Sequence, residues 1–191
     1  MNIKEKIINK SKTIKFESFG TYNHSYQEFV KFFKKNPIDE HSLILGCYFT
    51  YGWMPTILKN FNATKIDDSI IASLNGVKDG KKMDSESLET LKAIVNNSII
   101  GASKLLHFIN PKLYPIWDSR VCNFIYNKKY PGFVNNISHY EKYVSKVEEL
   151  LLDEQIIKMC KDVRSKLKDH EHKLTNIRVI ELIMFEKENE S

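Results

Sequence analysis

The chain has 191 residues, 42% of them hydrophobic, 12% aromatic and 28% charged, with 7 Gly and 5 Pro. That balance excludes an intrinsically disordered chain and gives one well-buried domain rather than two full-sized ones. The formal charge of +5, from 29 Lys and Arg against 24 Asp and Glu, permits a polyanionic partner without demanding one.

The opening stretch MNIKEKIINKSKTIKF is charged throughout and lacks the apolar h-region of a signal peptide. No apolar run approaches the ~20 residues of a membrane span, so neither export nor membrane insertion is expected. Cys47, Cys122 and Cys160 are odd in number and widely spaced, which fits neither a disulfide framework nor a CxxC knuckle, and reduced thiols in a cytoplasmic protein are expected.

Apolar residues recur at helical spacing almost everywhere and alternating Val, Ile and Thr runs are nearly absent, so a single all-α domain over 1–191 is predicted. Residues 25–35 place Phe29, Val30, Phe32 and Phe33 on a helix that must stop before Pro37. Asp39 then caps a largely apolar helix over 40–51, which should be a central buried element ending at Gly52. A short helix near 56–60 is expected after the GWMP turn. Asp67 or Asp68 caps another through Leu74, and 76–83 reads as an exposed polar loop.

Asp84 caps a helix over 85–95, Asn96-Asn97-Ser98 reads as a tight turn, and a second helix covers 99–108, giving a hairpin-like element over about 85–108. Pro111 and Pro115 keep the following connector extended until a helix starts around Asp118. Further helices are predicted over 138–152, 153–168 and 174–188.

The densest chemistry lies in 101–121, GASKLLHFINPKLYPIWDSRV, the candidate active-site segment with Asp118 as its catalytic residue. An aspartate at a helix start has an ordinary explanation as an N-cap interacting with the helix dipole. Trp117 before it, Ser119 and Arg120 after it, and the small residues Gly101, Ala102 and Ser103 upstream are an uncommon company for a plain connector.

Over Asn96 to Phe124 this pattern resembles the helix-hairpin-helix DNA glycosylase superfamily, in particular its 8-oxoguanine glycosylase-like branch. The family's catalytic aspartate lies sixteen residues beyond the alanine that follows its hairpin, and Ala102 to Asp118 reproduces that interval. The family's hairpin is glycine-rich and holds a DNA phosphate on backbone N–H groups; here Asn96, Asn97 and Ser98 stand at those positions, making the hairpin a degenerate one. Asn tolerates left-handed geometry nearly as glycine does, so the turn retains the means to offer amides. Bifunctional members carry a nucleophilic lysine where this chain has Ile100. Lys104 lies one helical turn further on nearly the same face, and reads either as a displaced nucleophile or as a lysine snorkelling along the helix or contacting phosphate.

The resemblance implies hydrolytic excision of a damaged or modified base, including modified foreign (phage) DNA, by a monofunctional, cofactor-free monomer acting on duplex DNA with the base extruded. Tyr51, Trp53, Met54, His107 and Trp117 are the candidate pocket residues, with Tyr48 beside them, against the ordinary reading of all of these as core. Ser103, Arg120, Lys128 and Lys129, with the turn residues Asn96, Asn97 and Ser98, are the candidate DNA contacts, and Lys78, Lys81 and Lys82 offer further point charges. His170 and His172 have no third ligand spaced to complete a metal site, so no metal is expected and KDHEHK reads as a solvated turn. Arg178, within NIRVIELIMF, is expected to pair with Glu181. Two other readings compete with an enzyme: a non-catalytic DNA-binding module derived from such glycosylases, and a protein-interaction component of a bacterial stress or phage-defence system.

Overall fold

The computed structural model describes residues 2–13, 20–54, 56–167 and 174–186. Among them are eleven α-helices and one short 3-10 turn, Ala63–Lys65, with no strand. The first half contains α1 (Ile3–Thr13), α2 (Gly20–Lys35), α3 (Glu40–Trp53), α4 (Asp68–Lys78), α5 (Ser85–Ile94) and α6 (Ile99–Ile109). The second contains α7 (Ser119–Tyr126), α8 (Pro131–Val134), α9 (Ile137–Leu151), α10 (Glu154–Lys166) and α11 (Asn176–Phe185). None of these helices is long and apolar enough to cross a membrane.

Side-chain caps set many of the helix starts. Asp39, Asp67, Asp84, Asp118 and Asp153 each accept a backbone N–H from the first turn of the helix that follows, satisfying donors that have no partner inside the helix. At Asp39 the cap is reciprocal, because Ser42 Oγ accepts the Asp39 N–H at 2.9 Å.

One helix was not predicted, and two expectations are corrected. The opening segment holds α1, a helix too polar to announce itself. It is fastened by a Lys4–Asp153 ion pair at 2.6 Å and by Ile7, which is fully buried. Residues 56–60 form no helix: Asn96 N–H donates to Asn60 O at 3.0 Å and Asn62 N–H to Ile94 O at 3.1 Å, so pairing with the end of α5 holds this stretch extended. The 76–83 loop is also shorter than expected, since α4 runs on to Lys78.

Two groups of helices pack around two central ones. Helix α6 lies against α2, α3, α4 and α5, while α11 lies against α1, α7, α9 and α10. The connector 110–118 leaves α6 and delivers the chain to α7, so the residues at its end sit where the two groups meet.

Candidate functional site

Asp118 is the N-cap of α7. Its Oδ1 accepts the N–H groups of Arg120 and Val121, both at 2.9 Å, while Oδ2 accepts no hydrogen bond among the described residues. The residue is 9% exposed. A second contact fixes the connector just before it: Ser103 Oγ accepts the Trp117 N–H at 3.1 Å. The Trp117 indole N–H donates to Val134 O at 2.7 Å. The interval from Ala102 to Asp118 therefore has a physical meaning, because the chain leaves α6, turns, and returns to the flank of the same helix.

Three further charged side chains come to the same place. Lys104, partly buried on α6, lies with Nζ 5.6 Å from the centre of the Trp53 ring. The Arg178 guanidinium lies 5.4 Å from that ring and 4.9 Å from Tyr26. Arg178 Nη1 donates to Glu181 Oε1 in a buried ion pair, and Glu181 Oε2 accepts the Ile116 N–H at 3.4 Å, two residues before Asp118. Two cations and two carboxylates from α6, the connector and α11 thus form one cluster.

Burial shapes their protonation. It pushes the Glu181 carboxyl up to about 7, opposed by Arg178 and reinforced by the charge of Asp118. It pulls the Lys104 ammonium below its ordinary value, against the attraction of Asp118 and Glu181. Lys104 makes no ion pair within 4 Å among the described residues. Tyr143 Oη and Arg178 Nε, both buried, have no hydrogen-bond partner among the described residues.

His107 lies beside this cluster and is fully buried. Its Nδ1 is 2.6 Å from Tyr114 O, and because a carbonyl only accepts, Nδ1 carries the proton. Burial and Arg178 hold the ring's pKa down to about 3, so Nε2 is unprotonated and accepts from Tyr26 Oη at 2.8 Å. The histidine is a neutral relay between α2 and the connector.

Several expected site residues are placed elsewhere. Ser103 is fully buried and engaged with the connector, so it is not a DNA contact. Tyr51 is core: its Oη donates to Val95 O at 3.3 Å beneath the turn after α5. Trp117 is fully buried against Tyr143, with ring centres 5.1 Å apart, and forms no open wall. Met54 caps the end of α3 and packs against the core. Of the pocket candidates, Trp53 and His107 join the cluster.

The turn adopts the expected left-handed backbone, with φ of 60° at Asn96 and 48° at Asn97, but most of its amides are spoken for. Asn96 N–H donates to Asn60 O, Ser98 N–H to Lys92 O and Val95 O, and Ile99 N–H to Asn135 Oδ1. Asn97 is exposed, and its N–H donates no hydrogen bond among the described residues. Arg120 is exposed, with its guanidinium 4.4 Å from the Phe185 ring centre, and Lys128 and Lys129 are exposed. Lys78 donates to Asn36 O and Lys82 pairs with Glu148.

Close packing under the turn requires Gly101. A Cβ there would meet Tyr51 Oη at 2.6 Å and Tyr51 Cε2 at 2.9 Å. Gly101→Ala is expected to cost about 1–3 kcal/mol of stability by overpacking, read by urea unfolding. Adding Tyr51→Phe should recover part of the loss by removing the nearest atom; an unchanged midpoint in the single variant would refute this account of the contact.

Arg178 and Glu181 pair as their spacing predicts, but their place beside Asp118 was not foreseen. The signal available is an Arg and a Glu three residues apart inside the otherwise apolar run IRVIELIMF, a combination seldom buried without a partner. All three cysteines are buried and unpaired, and burial raises the thiols of Cys47 and Cys160 to about 12 and of Cys122 to about 11, which leaves them poor nucleophiles. Among the described residues no group of three or more His, Cys, Asp and Glu is placed to hold a metal; His170 and His172 lie outside the described residues. A cavity of about 450 Å³ between α1 and α10, lined by Asn2, Lys4, Glu5, Ile8, Asn9 and Gln155, includes none of the cluster. No family model, curated protein or solved structure matches the chain.

Proposed function

We propose that the chain is a DNA glycosylase that releases a damaged or modified base by hydrolysing its N-glycosidic bond, acting as a monomer on duplex DNA with the base extruded. The observation that carries this reading is the gathering of Asp118, Lys104, Arg178 and Glu181 where α6 and α11 meet. Charged groups are rarely drawn together out of water unless structure or chemistry needs them. Asp118 has one carboxylate oxygen fixed by two amides and the other uncommitted, a rigid mounting for a group that must face a reacting sugar.

In the reaction the glycosidic electron pair leaves with the base. Asp118 stabilises the oxocarbenium-like sugar and orients or deprotonates the water that adds to it. Lys104 keeps the local field positive for an anionic substrate and forms no covalent bond.

Asp118→Asn isolates the charge, because Asn caps a helix as well as Asp does and the fold is retained. The expected result is abasic-site formation in DNA carrying oxidised or alkylated bases, reduced about a hundredfold or more in the variant. Full activity in Asp118→Asn removes Asp118 from the mechanism. Borohydride should trap no covalent complex on abasic DNA; capture at Lys104 replaces hydrolysis by a Schiff-base route. The capping role of Oδ1 and the burial of Ser103 and Trp117 favour a second reading, in which the segment is a packing corner of a non-catalytic module. That reading predicts no base release from any modified DNA.

A further inference from the structure

Acidic residues are distributed unevenly along this chain. Between Thr90 and Tyr140 the sole carboxylate side chain is Asp118, alongside six Lys or Arg: Lys92, Lys104, Lys112, Arg120, Lys128 and Lys129. Outside that stretch Lys and Arg number 23 and Asp and Glu 23, so the chain's whole formal excess of +5 lies within it. The modest net charge conceals a neutral remainder and one basic segment.

The fold gathers part of this stretch into a continuous surface. Asn135 clips the segment after α7 onto the turn between α5 and α6: its Nδ2 donates to Asn97 O at 2.9 Å and its Oδ1 accepts Ile99 N–H at 2.9 Å. Val134 O accepts from Trp117, next to Asp118. The residues linking α7 to α8 are Asn127, Lys128, Lys129 and Tyr130. Asn127 turns the chain with a left-handed φ of 53°, and the two lysines are exposed with no ion pair among the described residues.

Tyr130 is the unexpected member. It is 56% exposed, yet it is mounted firmly at the outer end of a row of rings. Tyr130 and Phe133 have centres 5.7 Å apart, Phe133 and Tyr126 5.5 Å, and Tyr126 and the buried Trp117 6.2 Å. Phe133 is also stacked on His139 at 3.7 Å. An aromatic ring kept in water next in sequence to two exposed lysines that form no ion pair among the described residues, in a stretch whose sole carboxylate is Asp118, has the two attributes of a nucleic-acid strand site, backbone charge and a stacking face.

We infer that Lys128, Lys129 and Tyr130 form a DNA-strand contact in which the lysines hold backbone phosphates and the Tyr130 ring stacks on an unpaired base. This deepens the proposed function, on which the choice of DNA as the polyanion rests. Its test reads binding alone.

Fluorescence anisotropy of the full chain with labelled, unmodified single-stranded and duplex DNA, over a series of salt concentrations, measures both parts. Lys128→Gln/Lys129→Gln should lower the magnitude of the log K against log salt slope by roughly 1.4 on single strands and 1.8 on duplex. Tyr130→Ala should weaken single-strand binding about tenfold, with much less effect on intact duplex, while Tyr130→Phe stays within about twofold of the parent. Lys65→Gln/Lys161→Gln, exposed and in the charge-balanced remainder, should leave the slope unchanged. The inference is overturned if the parent fails to bind either DNA at low salt, if the Lys128/Lys129 variant keeps the parental slope, or if Tyr130→Ala binds single strands as the parent does. Binding that behaves as stated in a chain that releases no base would refute the glycosylase reading and leave this contact standing. Base release with unaltered binding in the Lys128/Lys129 and Tyr130→Ala variants would do the reverse.

Discussion

Replacing Arg178 by Met is expected to cost about 3–5 kcal/mol of folding stability, because it leaves the Glu181 carboxylate buried without its cation. The loss has several parts. Arg178 is the ion-pair partner of Glu181, and its guanidinium lies over Tyr26 and Trp53, so the variant forfeits stacking along with charge. Glu181 answers by protonating, since burial already raises its carboxyl to about 7 with Arg178 in place, and this limits the penalty at low pH. Glu181→Leu alone should cost a similar amount by stranding Arg178 and freeing the Ile116 N–H that Glu181 Oε2 accepts. The double variant Arg178→Met/Glu181→Leu should cost well under the sum, because an apolar replacement of both partners removes the desolvation penalty as well as the attraction. Guanidinium unfolding of the four proteins decides the matter. A single-variant loss below about 1 kcal/mol, or strict additivity, would show that the pair is not the buried unit described.

That pair also marks how far the sequence could be read. Its existence is local information: Arg178 and Glu181 sit three residues apart on one face of a helix whose other residues are apolar. Its location beside Asp118 is not local, because the link runs through the Glu181–Ile116 hydrogen bond between residues 65 positions apart. The all-α architecture, the Asp caps and the tight Asn96-Asn97 turn were legible for the same reason, since each depends on spacing or backbone preference within a few residues. The misreading of 56–60 as helix and the assignment of Ser103 to the DNA surface fail together. In both cases a partner distant in sequence, the end of α5 for one and Trp117 for the other, captures the segment or side chain. Helix α1 escaped notice because its apolar face is only Ile3, Ile7 and Ile8 among polar residues, so its stability comes from docking that face on α10 and α11.

The second large effect is a pH dependence with two opposing limbs. His107 stays neutral down to about pH 3, against an ordinary value of 6.5, because burial and the neighbouring Arg178 penalise its cation, with the hydrogen bond to Tyr114 O opposing them. The unfolded chain therefore binds more protons than the folded one between those values, and stability falls as pH drops through that window, by about 5 kcal/mol at its lower end. Glu181 acts in the other direction. Its folded value is raised from 4.5 to about 7, so the folded state holds a proton that the unfolded state releases, and stability falls as pH rises from 4.5 to 7. Where the windows overlap, between 4.5 and 6.5, the two contributions offset each other. Relative to an otherwise identical chain lacking these two groups, stability should vary little there and fall on either side, with acid loss the larger. His107→Gln should flatten the acid limb, since the amide retains a donor for Tyr114 O and an acceptor for Tyr26 Oη without a proton to gain. Glu181→Gln should flatten the neutral limb at the expense of an uncompensated Arg178 at every pH. Urea unfolding of the parent and both variants from pH 3.5 to 8 measures each limb separately. An acid limb that persists unchanged in His107→Gln would assign it to surface carboxylates such as Asp39, Asp84 and Asp153, which are held below the usual carboxylate range first by Ser42, Ser87 and Lys4 respectively, and would remove the buried histidine as its source.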